Sequence, residues 1–231
     1  MKNLILRSAA IIGLLITANP SMACNDNVVL VHGNAASPAS WEPTYNELIA
    51  RGYADSQIFV PSWGVSSNPS LNNHSGSEES PVRAALQDAI EASCSGKIDV
   101  IGHSMGVTLA AQQIIKLSEQ ENVDAFVGIA GANRGLLSCG VYPFNVWTPT
   151  CGAYGLSVSS PFLSWLDGKQ IADRVFSIKS WIDQVVCATG TCLIYGIHSS
   201  RIATEDQTYT LNYGHFGLQT YTYDLQVDLI Q

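Results

Sequence analysis

Ile98-Asp99-Val100-Ile101-Gly102-His103-Ser104-Met105-Gly106-Val107 is the stretch that decides the fold. A β-branched apolar run ends in a Gly-x-Ser-x-Gly pentapeptide at 102–106, and a segment of helical pattern, Val107 to Leu117, follows at once. Strand, serine and helix in that order are the signature of a nucleophile elbow. The strand delivers Ser104 to a sharp turn. Glycines flank it because a side chain there would strike the neighbouring strand or helix. The helix start behind the serine offers unpaired N–H groups to an oxyanion. The pentapeptide alone also fits a plain Gly-rich turn, so the strand before it and the helix after it carry the reading.

The rest of the chain repeats this rhythm. Val28 to Val31 reads as a buried strand ending at His32-Gly33, Trp41 to Arg51 as helix stopped by Gly52, and Gln57 to Val60 as a second strand. Residues 62–80, rich in Ser, Asn and Gly, read as a surface loop, and Pro81 suits the first turn of a helix running to about Ala92. Lys97 to Gly102, Val123 to Ala130, Arg174 to Ser180 and Tyr209 to Asn212 read as further strands, with a helical tail from Leu218. Strands alternating with helices predict an α/β fold, with a mainly parallel central sheet covered by helices on both faces. Residues 1–23 read as a leader and 24–231 as one domain without internal repeats. Residues 132–170 break the pattern as a long aromatic excursion containing Tyr142, Phe144, Trp147, Tyr154, Phe162 and Trp165. A loop of that length is either functional or a satellite cluster with its own small structure.

A serine hydroxyl is a weak nucleophile and needs a base. On this architecture the partners follow in the order serine, acid, histidine. That order sets aside His32, His74 and His103. His215, in Asn212-Tyr213-Gly214-His215-Phe216-Gly217 just past the last strand, is preferred over His198, which sits in a less defined stretch. The acid is placed at Asp183, just past a strand and among apolar neighbours that would bury it beside the imidazole. Asp167, Asp173 and Asp206 are its rivals. Two donors are needed for an oxyanion hole: the N–H of Met105, next after the nucleophile, and that of Asn34 in His32-Gly33-Asn34.

Composition bounds the function. Hydrophobic residues make up 46% of the 231 and charged residues 13%, which suits a buried sheet and argues against disorder. The net charge is −8, and it nears −10 without Lys2 and Arg7 of the leader. An acidic chain without basic runs is a poor partner for nucleic acid or anionic lipid. The leader has a basic start, an apolar middle at Ala9 to Thr17 and Ser21-Met22-Ala23 as a cleavage site, so the chain is expected to be secreted, released or held in a periplasm. Ser21 and Met22 do not match a lipobox before Cys24, and the apolar stretch is too short for a confident membrane span. All six cysteines lie after the cleavage site. An even count in an exported chain suggests disulfides, and proximity suggests Cys139–Cys151 and Cys187–Cys192, leaving Cys24 for Cys94. The cysteine spacing gives no zinc-finger pattern, and no metal or cofactor is expected.

Taken together, His32-Gly33-Asn34, Gly102-His103-Ser104-Met105-Gly106, Gly128-Ile129-Ala130-Gly131-Ala132-Asn133-Arg134 and Gly214-His215-Phe216-Gly217-Leu218 resemble the lipase class 2 family over most of residues 26–220. These are small secreted bacterial triacylglycerol lipases and esterases of the α/β-hydrolase fold. The resemblance implies Ser104, Asp183 and His215 as a triad, with Asn34 and Met105 as oxyanion donors. It also implies a lipid or small ester as substrate. Compact members lack a lid, whereas this chain departs from them in its excursion and its six cysteines. The expectation is a monomeric serine ester hydrolase, most simply a triacylglycerol lipase. An esterase or polyester hydrolase for short soluble esters is the alternative, and a non-catalytic binding protein on the same fold is a third reading.

Overall fold

The computed structural model describes residues 24–231, and the leader read at 1–23 lies outside them. The chain begins with β1 (Asn27–Val31), passes through α1 (Glu42–Ala50) to β2 (Ile58–Phe59), and returns through α2 (Glu79–Ala92) to β3 (Ile98–His103). Helix α3 (Met105–Leu117) leads to β4 (Val123–Ile129). The excursion then forms β5 (Leu136–Val141), β6 (Ser157–Val158) and α4 (Pro161–Leu166) before β7 (Arg174–Lys179) resumes the main sheet. A small hairpin of β8 (Leu193–Ile194) and β9 (Ile197–His198) precedes β10 (Gln207–Thr210). Helices α5 (His215–Thr220) and α6 (Tyr223–Asp228) follow.

Six strands make one sheet in the order β10-β7-β4-β3-β1-β2, every neighbouring pair parallel. The chain steps outward from β1 in one direction to β2 and in the other to β3, β4, β7 and β10. The order therefore reverses between β1 and β3, and the carboxyl ends there diverge into a crevice. Ser104 lies one residue past the end of β3, and Gly33 two residues past the end of β1. Parallel strands must be buried on both faces, which is why β1 and β3 read as unbroken apolar runs. Val29, Val31, Val100 and Phe126 face Val82 and Leu86 of α2 and Ile114 of α3, whereas Leu30, Ile101 and Val127 face Trp41, Leu48, Leu218 and Val227. Each such side chain contributes about 1.5–3 kcal/mol on burial. The helices thus hold the crevice from both sides.

The differences from expectation are local. Strand β2 keeps only two of four residues, because Gln57 belongs to a 3-10 turn (Asp55–Gln57) and Pro61, with no N–H, follows Val60. Strand β10 starts two residues early, since Gln207 and Thr208 pair with β7 despite their polarity. An edge strand exposed on one side carries no apolar run to announce it. The tail splits at Thr222, whose hydroxyl donates to the Leu218 carbonyl at 2.6 Å. Disulfides join Cys24–Cys94, Cys139–Cys151 and Cys187–Cys192, the pairing that proximity suggests. The excursion has its own structure: Cys139, Cys151, Leu156, Phe162 and Leu163 pack into the core beside α3, while Phe144 and Trp147 stay in solvent. Among the described residues no helix is long and apolar enough to cross a membrane.

Candidate active site

Ser104 occupies a backbone conformation that a side chain rarely adopts, φ 54° and ψ −127°, on the step from β3 into α3. Such a conformation costs roughly 1–3 kcal/mol and persists only where the surroundings force it. Here the Ser104 N–H donates to the Ile129 carbonyl at 2.8 Å, and α3 is pressed onto β1 and β3. A Cβ at Gly106 would collide with the backbone carbonyls of Val31 and His32, and one at Gly102 would come within 2.8 Å of Val107 Cα. Glycine at both positions lets the helix sit this close, so the turn lifts the serine hydroxyl out of the sheet edge.

The Ser104 hydroxyl donates to His215 Nε2 at 2.9 Å. His215 is the first residue of α5, just beyond β10, and its ring is buried. Its Nδ1–H donates to the Asp183 carboxylate, 2.8 Å from Oδ2 and 3.0 Å from Oδ1. Asp183 stands four residues past β7, and its Oδ1 also accepts the N–H groups of Val185 and Val186, each at 2.8 Å. Burial by itself raises the Asp183 pKa. The hydrogen bond and charge of His215 and the two backbone donors outweigh it, and the net shift is downward. The carboxylate therefore stays ionised beside the ring, which fixes the tautomer with Nε2 free to accept from serine.

Two backbone segments adjoin the elbow. Met105 opens α3, so its N–H has no partner within the helix. Gly33 lies against the elbow: a Cβ there would be 3.0 Å from Ser104 Cβ. The next N–H along belongs to Asn34. Its side chain is tied away, with Nδ2 donating to the Pro69 carbonyl at 3.1 Å and Oδ1 accepting from Asn72 Nδ2 at 2.7 Å. Asn72 is itself buried, and its Oδ1 accepts the Val65 N–H at 2.8 Å. Thr150, from the excursion, places its hydroxyl 2.7 Å from the Pro69 carbonyl and 2.6 Å from that of Asn72.

A serine hydroxyl bonded to a buried histidine–carboxylate pair at the start of a helix has the groups that acyl transfer needs. Residues 25–228 match the family Lipase (class 2). The chain belongs to the lipase class 2 family. As a member it is a carboxylic ester hydrolase. No curated protein matches it in sequence. Among solved structures it is similar to the mature Bacillus licheniformis lipase BlEst2 (TM-score 0.64, 12% identity, covering 91% of this chain and 94% of that one). The Aspergillus fumigatus lipase B is similar with a TM-score of 0.56 and 19% identity over 89% of this chain, which spans only 52% of that enzyme. The Bacillus subtilis ydeN product gives a TM-score of 0.55 at 15% identity, with 89% and 98% covered. At these identities the likeness is one of fold.

The hydrolase places the rival residues elsewhere. His198 donates from Nε2 to the Ser180 carbonyl at 3.1 Å and accepts the Ser200 N–H on Nδ1. Asp167 lies 3.9 Å from Arg134, Asp173 pairs with Lys97, and Asp206 accepts the Val175 N–H. None of them meets His215. Two supporting residues escape a sequence reading. Gln184 Oε1 accepts the His215 backbone N–H at 2.9 Å, and buried His103 donates from Nε2 to the His215 carbonyl at 3.1 Å. Burial, then the neighbouring His215 charge, pushes His103 down to about 3, so no second cation arises beside the base. Only adjacency to Asp183 and Ser104 hints at these two. Two groups of ligand-type side chains occur among the described residues: Cys187, Cys192 and His198, whose sulfurs are disulfide-bonded, and Asp26, Asp99 and Asp124. Neither includes Ser104 or His215.

Proposed function

We propose that the chain is a secreted triacylglycerol lipase whose catalytic residues are Ser104, Asp183 and His215, with the N–H groups of Asn34 and Met105 as the oxyanion hole. Residues 1–23 are the export leader, and 24–231 form the single, monomeric mature domain, which works without metal or cofactor. The observation that carries the reading is the continuous hydrogen-bond chain from Ser104 through His215 to Asp183, at 2.9 and 2.8 Å.

His215 Nε2 takes the Ser104 proton as Oγ attacks the ester carbonyl. The carbonyl oxygen gains the negative charge and is met by the two N–H groups, each worth about 3–4 kcal/mol in comparable hydrolases. The imidazolium, stabilised by Asp183, then protonates the leaving alkoxide as the C–O bond breaks. Water attacks the acyl-enzyme by the same route and regenerates Ser104. Three disulfides suit an oxidising, extracytoplasmic setting.

The test is Ser104→Ala on the full chain, with nitrophenyl esters of increasing acyl length and an emulsified triacylglycerol as substrates. Hydrolysis falls by at least about 10⁴-fold while the unfolding midpoint is kept. A serine-directed fluorophosphonate labels the wild type and not the variant. Retained turnover in the variant refutes the assignment. Turnover confined to short soluble esters replaces the lipase by an esterase.

A further inference from the structure

Helix α3 borders a second hollow, well away from its serine end. Gln112 and Lys116 lie in its C-terminal half, and Lys116 is about 18 Å along the axis from Ser104 at a rise of 1.5 Å per residue. With Tyr154 of the excursion and Pro161, Phe162 and Trp165 of α4 they line a groove of about 400 Å³. That is the size of a small-molecule site.

The base of the groove is apolar and closed. Phe162 is 4% exposed and stacks on buried His74, with ring centroids 4.0 Å apart. Burial pushes the His74 pKa down to about 4, so that ring brings no charge near neutral pH. The Gln112 amide is engaged, its Nε2 donating to the His74 carbonyl at 2.7 Å and its Oε1 accepting from Gln113 at 2.9 Å. Tyr154 and Trp165 form exposed walls above this base.

Lys116 is the one charged side chain in the lining. Its Nζ donates to Glu79 Oε2 at 2.8 Å, and the same oxygen accepts from Arg83 Nη2 at 2.9 Å and Gln113 Nε2 at 3.3 Å. One carboxylate thus serves two cations. Glu79 is buried, whereas 39% of the Lys116 side chain and 42% of that of Arg83 stay exposed. An ammonium has three donors, and among the described residues Glu79 is the only hydrogen-bond partner of this one. The adjacent acid, Glu78, accepts from the Ser77 hydroxyl at 3.3 Å. Lys169 adds a further cation beside the Trp165 wall, its Nζ 5.2 Å from the ring centroid.

We propose that this groove is a second, non-catalytic site that holds one fatty carboxylate, its tail against Phe162 and Trp165 and its head group on Lys116; the inference rests on the lipase reading, whose reaction releases that anion. The apolar walls take the methylenes, and each one buried tightens binding by up to about fourfold. The ammonium makes a charge-assisted hydrogen bond to a carboxylate, which an alcohol of the same length cannot match. A cationic amphiphile meets Lys116, Arg83 and Lys169 and is turned away. The groove lies clear of the triad, so product bound there does not displace substrate from Ser104.

Titration calorimetry on the full-length Ser104→Ala chain reads the binding of decanoate, decan-1-ol and decyltrimethylammonium, each below its solubility or micelle limit. Decanoate binds at least about tenfold more tightly than the alcohol, and the cation binds more weakly than either. Lys116→Met brings decanoate within about threefold of the alcohol, whereas Lys116→Arg keeps the gap. Trp165→Ala weakens decanoate and alcohol alike, by at least about fivefold. The unfolding midpoint is kept in the Lys116 variants. In the chain with Ser104 intact, Lys116→Met leaves kcat/KM for a soluble nitrophenyl ester within about twofold. Equal affinity for decanoate and decan-1-ol, or decanoate binding unchanged by both Lys116→Met and Trp165→Ala, overturns the proposal. So does a dimer in sedimentation that Trp165→Ala dissociates, because a second copy then fills the groove. Ester cleavage by the wild type is read separately. Cleavage without Lys116-dependent decanoate binding defeats the groove alone, and such binding without cleavage of any ester defeats the lipase reading alone.

Discussion

The side chain of Gln184 holds the backbone N–H of His215 at 2.9 Å, while the neighbouring carboxylate holds the ring of the same histidine. Main chain and imidazole are thus fixed by consecutive residues of one turn. Gln184→Ala should lower kcat about tenfold with little change in KM, since a hydrogen bond of about 1–1.5 kcal/mol positions the base and does not bind substrate. Gln184→Glu, which keeps an acceptor, should restore most of it. Steady-state kinetics on a soluble ester check this, and a KM effect alone would contradict it.

Asp183→Asn should cost about 10⁴-fold in kcat, because an amide no longer selects the tautomer in which Nε2 accepts from Ser104. The Asn oxygen can still accept the Val185 and Val186 N–H groups, so the circular-dichroism spectrum and melting point should change little.

Asn72→Ala should release the Asn34 loop. The lost bond from Asn72 Nδ2 and the orphaned Val65 N–H cost about 1–3 kcal/mol each. The unfolding midpoint should drop. On the proposed role of the Asn34 N–H, kcat for a soluble ester should fall more than KM rises, because an oxyanion donor acts on the transition state. A lower midpoint with unchanged kcat would detach Asn72 from the oxyanion loop.

Asp99, buried in β3, makes stability fall from acid to mildly alkaline pH. Burial, then repulsion from Asp26 and Asp124, raises its carboxyl from 3.8 to about 8. Between those values the folded state keeps a proton that the unfolded chain releases. Stability therefore declines as pH rises through this window and levels off above it. The full shift corresponds to a ceiling on the order of 5 kcal/mol. Asp99→Asn, which keeps an oxygen for the Ala125 N–H, should gain little near pH 4 and most above pH 8. Urea titrations across this range decide it, and a gain equal at both ends would refute the assignment.

Removing the Cys24–Cys94 bridge by paired serine substitutions should cost roughly 4 kcal/mol, since the bridge closes a separation of 70 residues. A smaller loss is expected at Cys187–Cys192, which spans only 5.

What could be read from the chain beforehand was local. The elbow shows itself because its strand, glycines and helix are contiguous, and the cysteine pairs because two of three are neighbours in sequence. The positions of Asp183 and His215 follow from strand ends and chain order, and the structure brings His215 to Ser104 and Asp183 to His215. Asn72 and Thr150 were invisible. Asn72 reaches Asn34 across 38 positions and Thr150 reaches Asn72 across 78, through polar contacts that no periodicity encodes. Strand β2 is shorter than its sequence predicts because apolar Val60 continues the run while Pro61, with no N–H, ends pairing.

The Thr150 contact has a bearing on protein engineering. A segment inserted between two strands would ordinarily be a cassette, open to replacement when a new substrate range is wanted. Here one of its hydroxyls braces the carbonyls of Pro69 and Asn72, the two residues that hold the Asn34 side chain. Any chimera that swaps the cassette must supply an equivalent brace, or turnover will suffer for reasons unrelated to selectivity.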